Sequence, residues 1–194
     1  MKRAEQAVET RAALIEAAKR LFADRGYLNV KITDITAAAG RAAGSFYRHF
    51  TGKEDLLKAL LDELTAASDV YAGAAEHRSD FTDPEAIRYH VTAYWRVYQE
   101  HTATMVALRQ AALVSEDFAR TLEQWRRAQL DDLADHVQYV RNPPASPEAT
   151  LTLLSAVMDA AVQVWTEAPD DKAVEGLTRF LFRALNGTDY APQA

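Results

Sequence analysis

Apolar side chains return every three to four residues along nearly the whole of this chain, and no stretch alternates as a half-buried strand must. That one period restricts the chain to packing helix on helix. Leu14, Ala17, Ala18, Leu21 and Phe22 mark a first helix over about residues 10–25, with Gly26 able to supply a left-handed stop. Ile32, Ile35 and Ala39 continue the period only as far as Gly40, giving a second helix of two turns. A third, from near Ala42, carries Phe46 and Phe50 four apart on one face. The fourth starts at about Lys53, with Glu54 and Asp55 in its first turn and Leu56, Leu57, Leu60, Leu61 and Leu64 as its buried stripe.

Further along, Asp83-Pro84-Glu85 and Ser146-Pro147-Glu148 each place a capping side chain before a proline at the first helical position. Asn142-Pro143-Pro144 must stop a helix, and Asn186-Gly187 can end the last one. Helices are expected near 84–101, 103–115, 117–141, 147–167 and 171–186. The fold class is all-α, with about nine helices.

Charge is divided unevenly along the chain. The formal net charge is -6, yet residues 1–58 hold 11 Lys and Arg against 7 Asp and Glu, so the acidic excess lies entirely in the remainder. A basic module for an anion on an acidic body fits that split. No cysteine is present, which removes disulfides and thiolate metal sites and fits a reducing compartment. The charged start, MKRAEQAVETRAAL, lacks the apolar core of a signal peptide, so a cytoplasmic location is the default expectation.

The basic segment contains AAAGRAAGSFYRHF, residues 37–50. Two short helices joined by a glycine turn, the second rich in small residues, match a helix-turn-helix. Its second helix enters the major groove of DNA, where bulky leading side chains would hold the backbone away. Ala42, Ala43, Gly44 and Ser45 permit close approach; Phe46 and Phe50 anchor the helix, leaving Tyr47, Arg48 and His49 for phosphates or base edges.

These residues also resemble a known family. The run with AA at 17 and 18, LF at 21 and 22, GY at 26 and 27, DI at 34 and 35, AG at 39 and 40, then GSFYRHF and KEDLL, is similar to the DNA-binding domain of the TetR (tetracycline-repressor) family of bacterial transcriptional regulators. The resemblance covers about 45 residues and implies a homodimer that binds a palindromic operator in double-stranded DNA, usually as a repressor, and releases it when a small molecule enters the C-terminal domain. It implies a DNA-binding domain over 1–55 and a ligand-binding and dimerisation domain over 56–194. Matched position by position, it implies phosphate contacts from Tyr47, His49 and Lys53, a backbone-facing Thr33, and approach to bases by Ala43, Gly44 and Ser45. Arg48 is assigned a variable contact. Two departures stand out: Val30 and Lys31 replace the usual hydroxyl cap of the second helix, and Arg41 replaces an apolar turn residue. Arg41 is expected to reach outward to phosphate.

Leu151, Leu154, Met158, Ala161 and Trp165 form one helical stripe, with Leu153, Val157, Val162 and Val164 outside it. A helix apolar all round must be covered on more than one side. With Leu177 and Leu181 of the last helix, the first stripe is the expected dimer interface, a buried helix within a monomer being the alternative. Thr152, Ser155, Asp159 and Gln163 argue against a membrane span. Tyr94, Trp95, Tyr98, Met105, Trp125 and Met158 are candidates to line a pocket for an amphipathic small-molecule effector, although an aromatic stripe also serves as core.

No catalytic residues, cofactor or metal site are expected. Histidines 49, 77, 90, 101 and 136 have no close ligand spacing, and neither a phosphate loop nor a nucleophile elbow is present. Two rival readings stay open: a constitutive DNA binder with a fully packed C-terminal core, and a dimeric ligand-binding or interaction protein whose helix-turn-helix no longer reads DNA.

Overall fold

The computed structural model describes residues 2–165 and 171–187. Among them the chain forms eight α-helices and three short 3-10 helices and no strand, as the all-α expectation requires. The α-helices are α1 (Lys2–Arg25), α2 (Ile32–Ala38), α3 (Lys53–Ala72), α4 (Pro84–Glu100), α5 (Thr102–Val114), α6 (Glu116–Asp131), α7 (Pro147–Val164) and α8 (Asp171–Asn186). The 3-10 helices are Tyr27–Asn29, Ala43–Arg48 and Ala134–Val137.

The chain packs as two units, the division falling within α3 and α6. One takes in residues up to Thr65 together with His101–Trp125; the other takes in Ala66–Glu100 together with those from Arg126 onward. The first unit is therefore discontinuous in sequence. In it, α1 packs on α2, on the Ala43–Arg48 helix and on α5. Leu14, Ala17, Ala18 and Phe22 of α1 are buried, as are Ile35, Phe46, Leu56 and Leu60, and each large side chain so buried contributes about 1.5–3 kcal/mol. Gly26 ends α1 at φ 74°, a backbone conformation that a side chain would strain.

In the second unit α4 packs on α8 and α7, and α7 on Ala134–Val137. Ile87, Val91 and Trp95 bury the face of α4, while Val174, Leu177, Leu181 and Leu185 bury that of α8. Both expected proline starts hold. Asp83 Oδ1 accepts from the Glu85 amide at 3.0 Å, and Ser146 Oγ accepts from the Ala149 amide at 3.3 Å. Asp159, the lone charge between Leu151 and Val164, accepts from the Tyr94 hydroxyl and from Arg126 Nη2, the latter at 3.0 Å. That pairing offsets the cost of placing a carboxylate there. Burial and the Asp159 charge together push the Tyr94 phenol well above its ordinary pKa.

One helix is shorter than its pattern suggests. The expected helix over 117–141 ends at Asp131, and the chain turns to bury His136 and Val137. The Phe81 amide donates to the His136 carbonyl at 3.1 Å, so a tertiary contact overrides the helical period. No helix of the described residues is long and apolar enough to cross a membrane.

Candidate nucleic-acid interface

The candidate reading surface is built on the turn after α2. Gly40, at φ 64°, takes the left-handed position, its amide donating to the Ala37 carbonyl at 3.0 Å while the Arg41 amide reaches the Thr36 carbonyl at 2.8 Å. This paired closure is a Schellman ending, and it turns the chain sharply out of the helix. Arg41 gives its amide to the turn, and its side chain is exposed. At the other end of α2 no hydroxyl cap is present, and Asp34 Oδ2 instead accepts from the Lys31 amide at 2.9 Å. A carboxylate in the first turn thus takes over part of the missing cap.

The expected third α-helix is a 3-10 helix of six residues, Ala43–Arg48. Ser45 explains the tightening. Its amide and its Oγ both donate to the Ala42 carbonyl, at 2.8 and 2.7 Å, favouring the i to i+3 closure of a 3-10 turn. Ser45, expected to approach bases, is only 4% exposed and holds the helix from beneath. Phe46 and Phe50 do anchor the segment, with ring centroids 5.4 Å apart. Arg41, Ala43, Gly44, Tyr47 and Arg48 remain on the outside with Thr33 of α2, and Tyr47 is 64% exposed. His49 is half-buried beside Phe50. Arg11, on α1, lies over the Phe50 ring at 5.3 Å.

Lys53 occupies a different place from a free phosphate contact. Its Nζ donates to the carbonyls of Tyr27 and Val30 at 2.8 and 2.7 Å and sits 4.0 Å from the centroid of the Tyr27 ring. The ammonium closes the Tyr27–Asn29 turn against the start of α3, and burial pushes its pKa down. Glu54 and Asp55 neighbour it in sequence, and Asp55 Oδ2 accepts from the Thr51 amide at 3.0 Å.

In the second unit most of the stripe assigned to the dimer faces inward, although Trp165 is 44% exposed. Leu151, Met158, Ala161, Leu177 and Leu181 are buried within the unit, Leu154 is half-buried, and Trp165 stacks on Trp95 with centroids 5.7 Å apart. The outer faces carry other residues: Leu153 is 57%, Val164 75% and Phe180 57% exposed, with Ala156, Ala160, Gly176 and Ala184 also open. The sequence shows two apolar faces on α7 but not which of them α4 covers.

The six pocket candidates do not share a unit. Tyr94, Trp95, Tyr98 and Met158 lie in the second; Met105 and Trp125 lie in the first, where Trp125 Nε1 donates to Thr65 Oγ1 at 2.9 Å. A cleft of about 550 Å³ opens elsewhere in the second unit, lined by Tyr71, Arg78, Arg88, Tyr89, Thr92 and Arg96 among others. The fold also gathers His77, His90 and His136, a cluster that sequence spacing hides because 59 residues separate the first from the last.

Comparison with known proteins places these observations. Residues 14–60 match the family described as bacterial regulatory proteins, tetR family. An 80-residue segment, 41% of the chain, is 45% identical to the HTH-type transcriptional regulator TtgR of Pseudomonas putida, and that match spans only 38% of the relative's length. A bacterial regulatory protein in the tetR family from Rhodococcus RHA1 shares the fold at a TM-score of 0.70 and 21% identity, over 93% of this chain and 98% of that one. The transcriptional regulator FadR from Bacillus subtilis, solved in complex with stearoyl-CoA, does so at 0.73 and 16%, over 92% and 99%. Over its N-terminal helices, this chain is similar to the TetR family of bacterial regulatory proteins.

Proposed function

We propose that the protein is a DNA-binding transcriptional regulator, a repressor that binds a palindromic operator as a homodimer and leaves it when a small molecule binds. The observation that carries this reading is the outward surface of the turn and short helix, where Arg41, Ala43, Gly44, Tyr47 and Arg48 are exposed over buried Ser45, Phe46 and Phe50. Small residues there let backbone approach the major groove, while Tyr47 and Arg48 reach phosphate or a guanine edge. Thr33 and His49 flank the same surface. Lys53 acts as a positioning residue that fixes the turn behind it. Residues 1–55 are the reader in this proposal, and 56–194 supply the effector site and the dimer face.

The dimer face is the outer side of α7 and α8, around Leu153, Ala156, Ala160, Val164 and Phe180. An exposed apolar face on two helices is what an isologous helical seam requires. The effector site is the cleft beside Arg88, Tyr89 and Arg96, where aromatic rings stand among arginines and the carboxylates of Glu76 and Glu85, a mixed lining that suits an amphipathic molecule. FadR of Bacillus subtilis, with its stearoyl-CoA, supports a small-molecule effector in a protein of this fold. Effector binding shifts the operator-competent population only through its different affinity for the two states.

Selection of tight binders from random duplex DNA tests the proposal directly. The expected outcome is an enriched inverted repeat with half-sites about 34 Å apart or somewhat more. Absence of any enrichment at low salt, from folded protein, overturns it in favour of a ligand-binding protein without DNA reading.

A further inference from the structure

We propose that His77, His90 and His136 form a binding site for one divalent transition-metal ion of the zinc class. They come from three elements of the second unit: the loop between α3 and α4, the helix α4, and the 3-10 helix Ala134–Val137. One ring nitrogen from each lies within 4.8 Å of the others. The rings pack edge to face, with centroids 4.7 to 5.2 Å apart, and Phe81 lies against two of them.

Hydrogen bonding aims the ligand atoms. His90 Nδ1 is 2.8 Å from the Ala86 carbonyl and His136 Nδ1 is 2.5 Å from Asp135 Oδ1. A carbonyl and a carboxylate only accept, so both Nδ1 atoms carry the proton and both Nε2 atoms carry the lone pair. Acceptors behind the imidazole, the carboxylate among them, are the outer support that metal-bound histidines use. Burial disfavours the charged form of both rings.

His77 Nε2 stands 3.1 Å from His136 Nε2. Two nitrogens on one tetrahedral zinc, each about 2.0–2.1 Å from the ion, lie roughly 3.3 Å apart. The pair is thus already at ligand separation. His77 meets the ion by moving its ring proton to Nδ1, which changes no net charge. Three imidazoles without thiolate or multiple carboxylates suit zinc, copper, nickel or iron over magnesium or calcium, and the fourth position is left to water or another ligand.

The inference is independent of DNA reading and is tested without it. Full-length protein stripped with EDTA and dialysed is titrated with zinc chloride against a chromophoric chelator. One zinc per chain is expected. His77→Gln should weaken binding at least tenfold, as should His90→Gln, and Asp135→Asn by about tenfold through its loss of ring support. His101→Gln should leave affinity unchanged. Because His77 is on a loop, its variant keeps the test open if His90→Gln fails to fold; equal melting of wild type and His77→Gln in EDTA establishes that. Cobalt in place of zinc should give the intense visible bands of a four-coordinate ion, lost in His77→Gln. Negligible zinc uptake, or an affinity untouched by His77→Gln, overturns the site and leaves the three rings as an ion-free packed cluster.

Discussion

Gln110 of α5 accepts a hydrogen bond from the backbone amide of Tyr27 at 2.8 Å, tying a helix from the middle of the sequence to the turn that follows α1. Gly26 makes room for it, since a Cβ there would stand 3.2 Å from Gln110 Oε1 as well as straining a φ of 74°. Gln110→Ala leaves the amide without its partner and should cost about 1–3 kcal/mol. Gly26→Ala should also destabilise, because it meets both strain and contact. Denaturant midpoints for the two variants check this; wild-type stability in Gln110→Ala would show that α5 does not brace the turn.

Lys53 gives a sharper separation between structure and DNA contact. Lys53→Met removes two charge-assisted hydrogen bonds to carbonyls and the ammonium above Tyr27. A loss of about 2–4 kcal/mol is expected on the scale of hydrogen bonds to charged groups. DNA affinity should fall with stability while the salt slope of binding stays as it was. A slope smaller by about 0.9 per protomer, with stability unchanged, would return Lys53 to the phosphate contacts.

At the reading surface, Gly44 separates fold from recognition. Its φ is ordinary and a Cβ would meet nothing within 4 Å, so Gly44→Leu should fold with stability changed by about 0.5 kcal/mol or less. The bulk would stand where the backbone must approach a groove, and affinity for an enriched operator should drop by about tenfold or more. Ser45→Leu is the contrasting variant: Ser45 is buried, so the change should destabilise the fold by about 1–3 kcal/mol through overpacking. Full operator binding by Gly44→Leu would move the recognition surface elsewhere.

What could be read from sequence alone follows from which interactions are local. Asp83 and Ser146 cap their own helices, and Gly40 closes its own turn, so a few adjacent residues carry each signal. Phe46 and Phe50 needed only helical spacing to be recognised as anchors. Smallness at Ser45 suits both a groove and a tightly packed underside, and its hydrogen bond to Ala42 is a detail the sequence does not show. His136 could not be paired with His77, since a shortened α6 and a loop bring them together and neither leaves a periodic mark.

The two faces of α7 are the last such ambiguity, and they yield the test of assembly. Leu151, Met158 and Ala161 are covered within the unit, whereas Leu153, Val164 and Phe180 stand open to water. Leu153→Glu combined with Phe180→Glu should leave the protomer folded, since both side chains are largely exposed, and should convert a dimer to monomers by light scattering at micromolar concentration. Operator affinity should fall with it, because each half-site then binds alone and loses the advantage of linkage. Leu151→Glu should instead unfold the unit, placing a charge among buried side chains. Should the double variant remain a dimer while folded, the seam lies on another surface and the outer faces of α7 and α8 are free for a different partner.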